Sequence, residues 1–311
     1  MQMQTNNFKP AWWLRDAHLQ TLWPALLRRP IKNLELKRER IELPDGDFID
    51  LDWTEGSGPI VILLHGLEGS IDSSYAKGML RALQNNHCRG VFLNFRGCSG
   101  EANRLSRAYH SGETNDLNTI VHLLKAREPT TPLAAVGFSL GGNVLLKWLG
   151  ETKKENPLKA AVAISVPFEL HKAILRVNRG FSRIYQWHLL KCLQKKMKLK
   201  SVSTEQFGSL RDFDDHITAP LHGFKDSNDY YIRCSSRQFV PHIAVPTLLL
   251  QAKDDPFMTE DVVPTLQELP PHVTLEISEY GGHVGFVSGH FPWNPIYWLE
   301  SRVPAFLQGF L

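Results

Sequence analysis

The chain has 311 residues, 42% hydrophobic and 22% charged, with a formal net charge of +3. That balance excludes a disordered chain. The four cysteines are too few for a disulfide scaffold, and the charge is too even for a nucleic-acid signature. The length admits one large domain or two small ones, with roughly three quarters of the unfolded surface buried on folding.

Residues 1–10 contain no apolar stretch of the secretory kind, and no segment approaches the ~20 apolar residues of a membrane span. Cytoplasmic residence is the default expectation, and Cys88, Cys98, Cys192 and Cys234 are expected to be unpaired thiols. The first thirty residues crowd Trp12, Trp13, Leu14, Leu19, Leu22, Trp23, Leu26 and Leu27 together. Positions 19, 22, 23, 26 and 27 have helical spacing. A helix that short is marginal alone and is expected to pack back on the main body, with lipid or a substrate mouth as the other destinations for its tryptophans.

Residues 34–43 and 48–53 flank Pro44-Asp45-Gly46-Asp47, and apolar alternation on both sides of an Asp-Gly turn predicts a β-hairpin. The run Ile60-Val61-Ile62-Leu63-Leu64 is apolar on both faces, as in a central parallel strand. Similar runs recur at 90–95, 133–138, 161–165 and 247–251, and a last strand is expected at 273–277. Helix-length patterned segments at 75–85, 114–126 and 141–149 lie between them, which argues an α/β fold with a mostly parallel, doubly wound sheet. Residues 166–243 are too long for one crossover and read as an inserted helical cap. The expected organisation is a single domain with an N-terminal extension 1–33, a core 34–165 and 244–311, and the cap 166–243.

Two local concentrations of positive charge stand out: six basic residues against two acidic in 28–40, and five lysines with no acid in 191–200. Each reads as a solvated face. Weak peripheral contact with an anionic membrane surface or substrate is the alternative.

The strongest chemical signal is Gly137-Phe138-Ser139-Leu140-Gly141, placed where an apolar strand ends and a helical pattern begins. A turn that sharp needs small residues beside the nucleophile, and the helix N-terminus favours developing negative charge. Ser139 is therefore the expected nucleophile, and it needs a base. His283, in Gly281-Gly282-His283 after the last strand, lies where ligands bind in open parallel sheets. His65 is a rival read as support for the oxyanion loop, and His110, His216 and His290 are less well placed. The third member follows the strand at 247–251. Asp254 and Asp255 are close on physical grounds, with Asp255, immediately before Pro256, preferred and Glu169 an outside candidate. The order serine, aspartate, histidine is that of α/β-hydrolases. Oxyanion stabilisation needs preorganised N–H donors. The backbone of Leu140 supplies one, and the loop His65-Gly66-Leu67-Glu68-Gly69-Ser70 supplies the other, read as Leu67.

With these motifs in place the chain resembles the α/β-hydrolase superfamily, and within it the YheT-like, AB-hydrolase-4 group, whose eukaryotic relatives are membrane-associated lipid and ester hydrolases. The matching stretches are His18-Leu19-Gln20-Thr21, Leu43-Pro44-Asp45-Gly46-Asp47, His65-Gly66-Leu67-Glu68-Gly69, Asn94-Phe95-Arg96-Gly97-Cys98-Ser99-Gly100 and Tyr109-His110-Ser111-Gly112-Glu113-Thr114. They continue with Gly137-Phe138-Ser139-Leu140-Gly141-Gly142-Asn143, Ala252-Lys253-Asp254-Asp255-Pro256-Phe257 and Tyr280-Gly281-Gly282-His283-Val284-Gly285-Phe286. The resemblance implies a relay of Ser139, Asp255 and His283, supports Asp255 over Asp254, and implies hydrolysis of carboxylic esters with short-chain or lipid-like substrates and no cofactor. A thioester, an acylglycerol or a phospholipid would suit the same triad. A peptidase and a non-catalytic binding protein on this scaffold are the more distant alternatives.

Arg96 is expected to brace neighbouring loops rather than bind an anionic ligand, with Cys98 a packed thiol. Asp214-Asp215-His216, with Asp226 and Asp229, matches no zinc spacing, and no metal is expected. The cap and the Trp-rich N-terminus are expected to shape an apolar acyl pocket.

Overall fold

The structure is a computed structural model that describes residues 4–5, 7–199 and 207–311. The end of the lysine-rich stretch at Lys200, and Met1, Gln2, Met3 and Asn6 of the N-terminal reading, lie outside the described residues.

Among the described residues, nine strands form one sheet. In chain order they are β1 (Gln4–Thr5), β2 (Leu36–Glu42), β3 (Phe48–Thr54), β4 (Ile60–Leu64), β5 (Arg89–Leu93), β6 (Leu133–Phe138), β7 (Ala160–Ile164), β8 (Thr247–Ala252) and β9 (Val273–Ser278). Their spatial order is β1-β9-β8-β7-β6-β4-β5-β3-β2. All neighbours from β1 to β5 run parallel, whereas β5–β3 and β3–β2 are antiparallel. A separate two-stranded ribbon, β10 (Val287–Phe291) and β11 (Asn294–Tyr297), follows.

Strand periodicity explains the two-sided core. In β4, Ile60, Ile62 and Leu64 face one apolar layer, while Val61 and Leu63 face the other. Helices α3 (Asn115–Arg127) and α4 (Leu140–Thr152) cover the first face through Leu117, Ile120, Val144 and Trp148. Helices α2 (Ala76–Asn85) and α10 (Leu299–Leu307) cover the second through Met79, Leu80, Leu83 and Val303. Every β4 side chain is fully buried, each contributing on the order of 2 kcal/mol of transfer free energy. The expected strands and crossover helices all form, with ends shifted by at most three residues.

The predicted hairpin closes through Gly46, whose N–H donates to the Leu43 carbonyl and whose φ is +82°. Its outer strand β2 is the sheet edge and carries charge in register. Arg38 faces Asp52 and Arg40 faces Asp50, each arginine gripping its partner carboxylate. Charged edges of this kind oppose edge-to-edge association. Part of the 28–40 concentration is paired, because Arg28 meets Glu300, and Arg40 reaches Glu101 as well as Asp50. Three of its six basic residues are thus matched by carboxylates, while Arg29, Lys32 and Lys37 are exposed.

Between β7 and β8 the chain builds the cap from α5 (Leu170–Val177), α6 (Arg183–Leu199), α7 (Leu210–Phe213), α8 (Ala219–Leu221) and α9 (Ser227–Cys234). Val177, Leu190, Met197, Leu210, Phe213 and Ile217 form its inner cluster. Asp214 accepts from Thr218 and Tyr231, and Asp215 from the Ser227 N–H, so both serve cap packing. Cys88, Cys98, Cys192 and Cys234 are free thiols.

Helix α1 (Ala17–Leu27) starts where Asp16 accepts the N–H groups of His18 and Leu19. It does pack on the body, but behind the loop that carries His283. The Gln20 amide donates to the carbonyls of Leu14 and Val287 and accepts the Val287 N–H. Trp13 and Trp23 pack ring to ring at 4.6 Å.

Candidate active site

Strand β6 delivers Ser139 to the C-terminal edge of the sheet. Its φ is +52° and ψ −119°, a region costly for a residue with a Cβ and retained only where the surroundings impose it. The constraint is visible: the Ser139 N–H donates to Ile164 O of β7, and its carbonyl accepts the Asn143 N–H of α4. The turn fits only because position 141 has no side chain. A Cβ there would lie 2.5 Å from Leu64 O and 2.6 Å from His65 O.

His283 sits on the loop after β9, anchored at three backbone N–H groups. Gly282 donates to Asp254 Oδ1, His283 to Thr21 Oγ1 and Val284 to Ser165 Oγ. Gly282, at φ +58°, passes so near α1 that a Cβ would lie 2.6 Å from Ala17 O. The His18-Leu19-Gln20-Thr21 stretch thus holds the histidine loop from behind.

The imidazole bridges two groups. Nδ1 is 2.9 Å from Asp255 Oδ2 and 3.1 Å from Oδ1, and Nε2 is 2.9 Å from Ser139 Oγ. A carboxylate at Nδ1 assigns the proton there, leaving Nε2 to accept from the hydroxyl. Asp255 is buried, its Oδ1 also accepts the Phe257 N–H, and the Phe257 ring stacks on the imidazole at 4.1 Å. Asp254 turns away to the loop backbone. Burial pushes its carboxyl up to about 6 against the N–H groups of Gly282 and Gly281, with Asp255 adding repulsion. Glu169 lies elsewhere, paired with Lys172 and Arg237.

His65 is wholly buried. Its Nε2 accepts the Phe95 N–H, so Nδ1 carries the proton and donates to Gly66 O at 2.7 Å. Burial lowers it to about 3, and it acts as a neutral brace for loop 65–69. That loop passes within van der Waals reach of the serine, since a Cβ on Gly66 would be 3.3 Å from Ser139 Cβ. The Gly66 N–H donates to the Tyr75 hydroxyl and the Glu68 N–H to the Tyr109 hydroxyl. His110 stands in the cavity wall against His222. His216 bonds the Asp212 carbonyl, and the His290 carbonyl accepts from Trp12.

Glu68, at φ +55°, is a site residue that motif reading passed over. Tyr109 donates to its carboxylate at 2.9 Å, and Lys196 of cap helix α6 reaches it at 2.6 Å. Lys196 Nζ is also 3.0 Å from Cys98 Sγ. Burial pulls the ammonium down, but Cys98 and Glu68 outweigh it and hold it above its ordinary value. Burial raises the Cys98 thiol to about 11, so it stays protonated. Lys196 sits within a lysine-rich run, and nothing in a one-dimensional pattern marks which lysine turns inward.

Arg96 is buried among Asp116, Asp47 and Asp45 and braces loops. Between core and cap lies a cavity of about 130 Å³, bordered by Ser139, His283 and Leu67 and walled by residues such as Ile174, Leu189, Leu193 and Met197. The cap shapes it as expected. The N-terminal tryptophans do not line it, because α1 docks behind the histidine loop.

A serine, histidine and aspartate linked in this way, at the strand ends of a mostly parallel sheet under a helical cap, form a device that can activate a hydroxyl for acyl transfer. The chain belongs to the α/β-hydrolase family: the model for the alpha/beta hydrolase fold matches residues 59–289. It is similar to "Putative esterase YheT" of Escherichia coli (strain K12), 43% identical over 98% of this chain and 94% of that protein. It is also similar to "Phospholipase ABHD3" of Bos taurus, 30% identical over 99% of this chain and 79% of that one. Among solved structures, an esterase of Pyrococcus furiosus, Pf2001, shares the fold with a TM-score of 0.61 at 19% identity, covering 91% and 96% of the two chains. The YheT-like resemblance holds across nearly the whole chain, and the protein is a hydrolase of the esterase and lipase type.

Proposed function

We propose that the protein hydrolyses carboxylic esters, with Ser139 as nucleophile, His283 as base and acid, Asp255 as orienting carboxylate, and the N–H groups of Leu67 and Leu140 as oxyanion donors. What supports this reading above all is the hydrogen-bond chain from Asp255 through both nitrogens of His283 to Ser139, at the border of an apolar cavity. Leu67 is favoured because the N–H groups on either side of it are committed to Tyr75 and Tyr109.

Ser139 Oγ attacks the ester carbonyl carbon as His283 Nε2 takes the hydroxyl proton. The carbonyl electron pair moves onto oxygen, against the two N–H donors, where one such donor is worth ~3 kcal/mol. Collapse of the intermediate expels the alkoxide, which takes the proton from Nε2 and leaves as the alcohol. Water then gives a proton to Nε2 and attacks the acyl carbon. The second collapse releases the acid and restores Ser139. Asp255 stabilises the imidazolium without itself being protonated.

The cavity size points to a short acyl chain, since an apolar cavity of ~150 Å³ accepts about one benzene ring. The reading is therefore acyl groups of about six carbons. A lipid ester is the second reading, favoured by the phospholipase named above. A fluorophosphonate is expected to label the protein and leave Ser139→Ala unlabelled, and labelling of that variant would overturn the nucleophile. Across a panel of acyl lengths, kcat/KM should peak at four to six carbons and fall at least tenfold by twelve. Turnover confined to thioesters or to phospholipids would overturn the short-ester reading.

A further inference from the structure

Helix α6 has two faces. Tyr185, Leu190 and Met197 turn inward. Outward, Ile184, Trp187, Lys191, Lys195 and Lys198 fall at helical spacing along one stripe and are exposed, with Ile184 54% and Trp187 57% accessible. The helix contains no acidic residue, and among the described residues no carboxylate pairs with Lys191, Lys195 or Lys198. Lys191 Nζ lies 3.7 Å over the Trp187 ring. One end of the stripe is apolar and aromatic, the other purely cationic.

The stripe lies next to the site. Tyr185 of α6 stacks on Phe257 at 4.9 Å, and Phe257 stacks on His283. His18 of α1 bonds the Tyr185 hydroxyl at 3.1 Å and packs against Phe181, which is itself exposed, as is Leu19 beside His18. The helix that walls the cavity on its inner side thus presents a tryptophan and lysines to the outside, with more exposed apolar groups at its N-terminal end.

We infer that the outer face of α6 docks on the surface of an anionic phospholipid bilayer, Trp187 and Ile184 entering the interface while Lys191, Lys195 and Lys198 meet the head groups. The chemistry matches on both counts: aromatic and aliphatic side chains partition at the head-group level, and an acid-free row of lysines complements a negative surface. In the 28–40 segment Arg28, Arg38 and Arg40 are already paired with carboxylates, unlike the lysines of this row. This docking is independent of the triad assignment.

The test is co-sedimentation of the full-length protein with vesicles of phosphatidylglycerol and phosphatidylcholine, against phosphatidylcholine alone. Binding is expected to the anionic vesicles, weakening as salt rises. Lys191→Glu, Lys195→Glu and Lys198→Glu combined should lower the partition constant at least 100-fold, and Trp187→Ala about tenfold. Hydrolysis of a soluble short ester should be unchanged in both variants, showing that they are folded. Absence of sedimentation at low salt, equal binding to zwitterionic vesicles, or retention of binding by the triple variant would each overturn the inference. So would a solution dimer that dissociates with Trp187→Ala, which would assign the face to a second copy of the chain.

Discussion

Replacing Lys196 by methionine removes the cation that ties the cap to the loop after β4. Methionine keeps most of the alkyl volume, so the perturbation is electrostatic. Glu68 then keeps its donor from Tyr109 but loses its counter-charge, in a site where its side chain is 8% exposed and that of Lys196 13%. Removing one partner of a buried pair costs ~3–5 kcal/mol because the other charge stays desolvated. The remaining Tyr109 bond puts the expectation near ~3 kcal/mol, or about 5 °C in Tm for a chain of this length. Urea unfolding would measure it, with Glu68→Gln and the double variant completing a cycle. The double variant leaves no buried charge and should recover at least ~1.5 kcal/mol relative to the sum of the singles. Because Glu68 directly follows Leu67, kcat on a short ester should also fall, by up to ~100-fold. A Lys196→Met cost below 1 kcal/mol, or strict additivity in the cycle, would refute the reasoning.

Asp255→Asn should lower kcat by ~10⁴, since an amide favours the wrong imidazole tautomer. Asp254→Asn keeps an acceptor for the Gly282 N–H and should stay within tenfold, so steady-state kinetics on the two variants separates them. Gly141→Ala places a methyl against the carbonyls of Leu64 and His65 and should abolish soluble folded protein, read by expression and circular dichroism; a stable variant would show that the turn can relax. Asp214 carries a pH signature, because burial raises its carboxyl to about 6 against the hydroxyls of Thr218 and Tyr231. A group raised in the folded state gives stability that is full below its unfolded pKa and lost as pH rises through the folded value. Asp214→Asn stays neutral, so its stability relative to wild type should rise by ~2 kcal/mol between pH 4 and pH 7. A constant difference across that range would contradict this assignment.

The parallel strands were legible because each is a short run that is apolar on both faces, which water tolerates only in the middle of a sheet. β1 and the β10–β11 ribbon were not. Gln4–Thr5 is too short to carry a pattern, and the ribbon leaves Phe291, Trp293 and Ile296 exposed, so alternation there reports no core. Ser139 and His283 were visible because a strained turn and a close-packed loop demand glycines at fixed offsets, and Asp255 could be preferred but not separated from Asp254 on physical grounds.

The chain order of strands, the elbow and the order serine, aspartate, histidine were determined by the sequence itself, since local periodicity and backbone strain are properties of neighbours in the chain. Only the tertiary structure decided the long-range partners. Asp255 rather than Asp254 meets His283 across 28 residues, and Thr21 holds the histidine loop across 262. Lys196, one of five lysines in a run of ten residues, turns inward to Glu68 across 128. Such choices depend on which side chains the packed cap and sheet shield from water, and no local pattern carries that information.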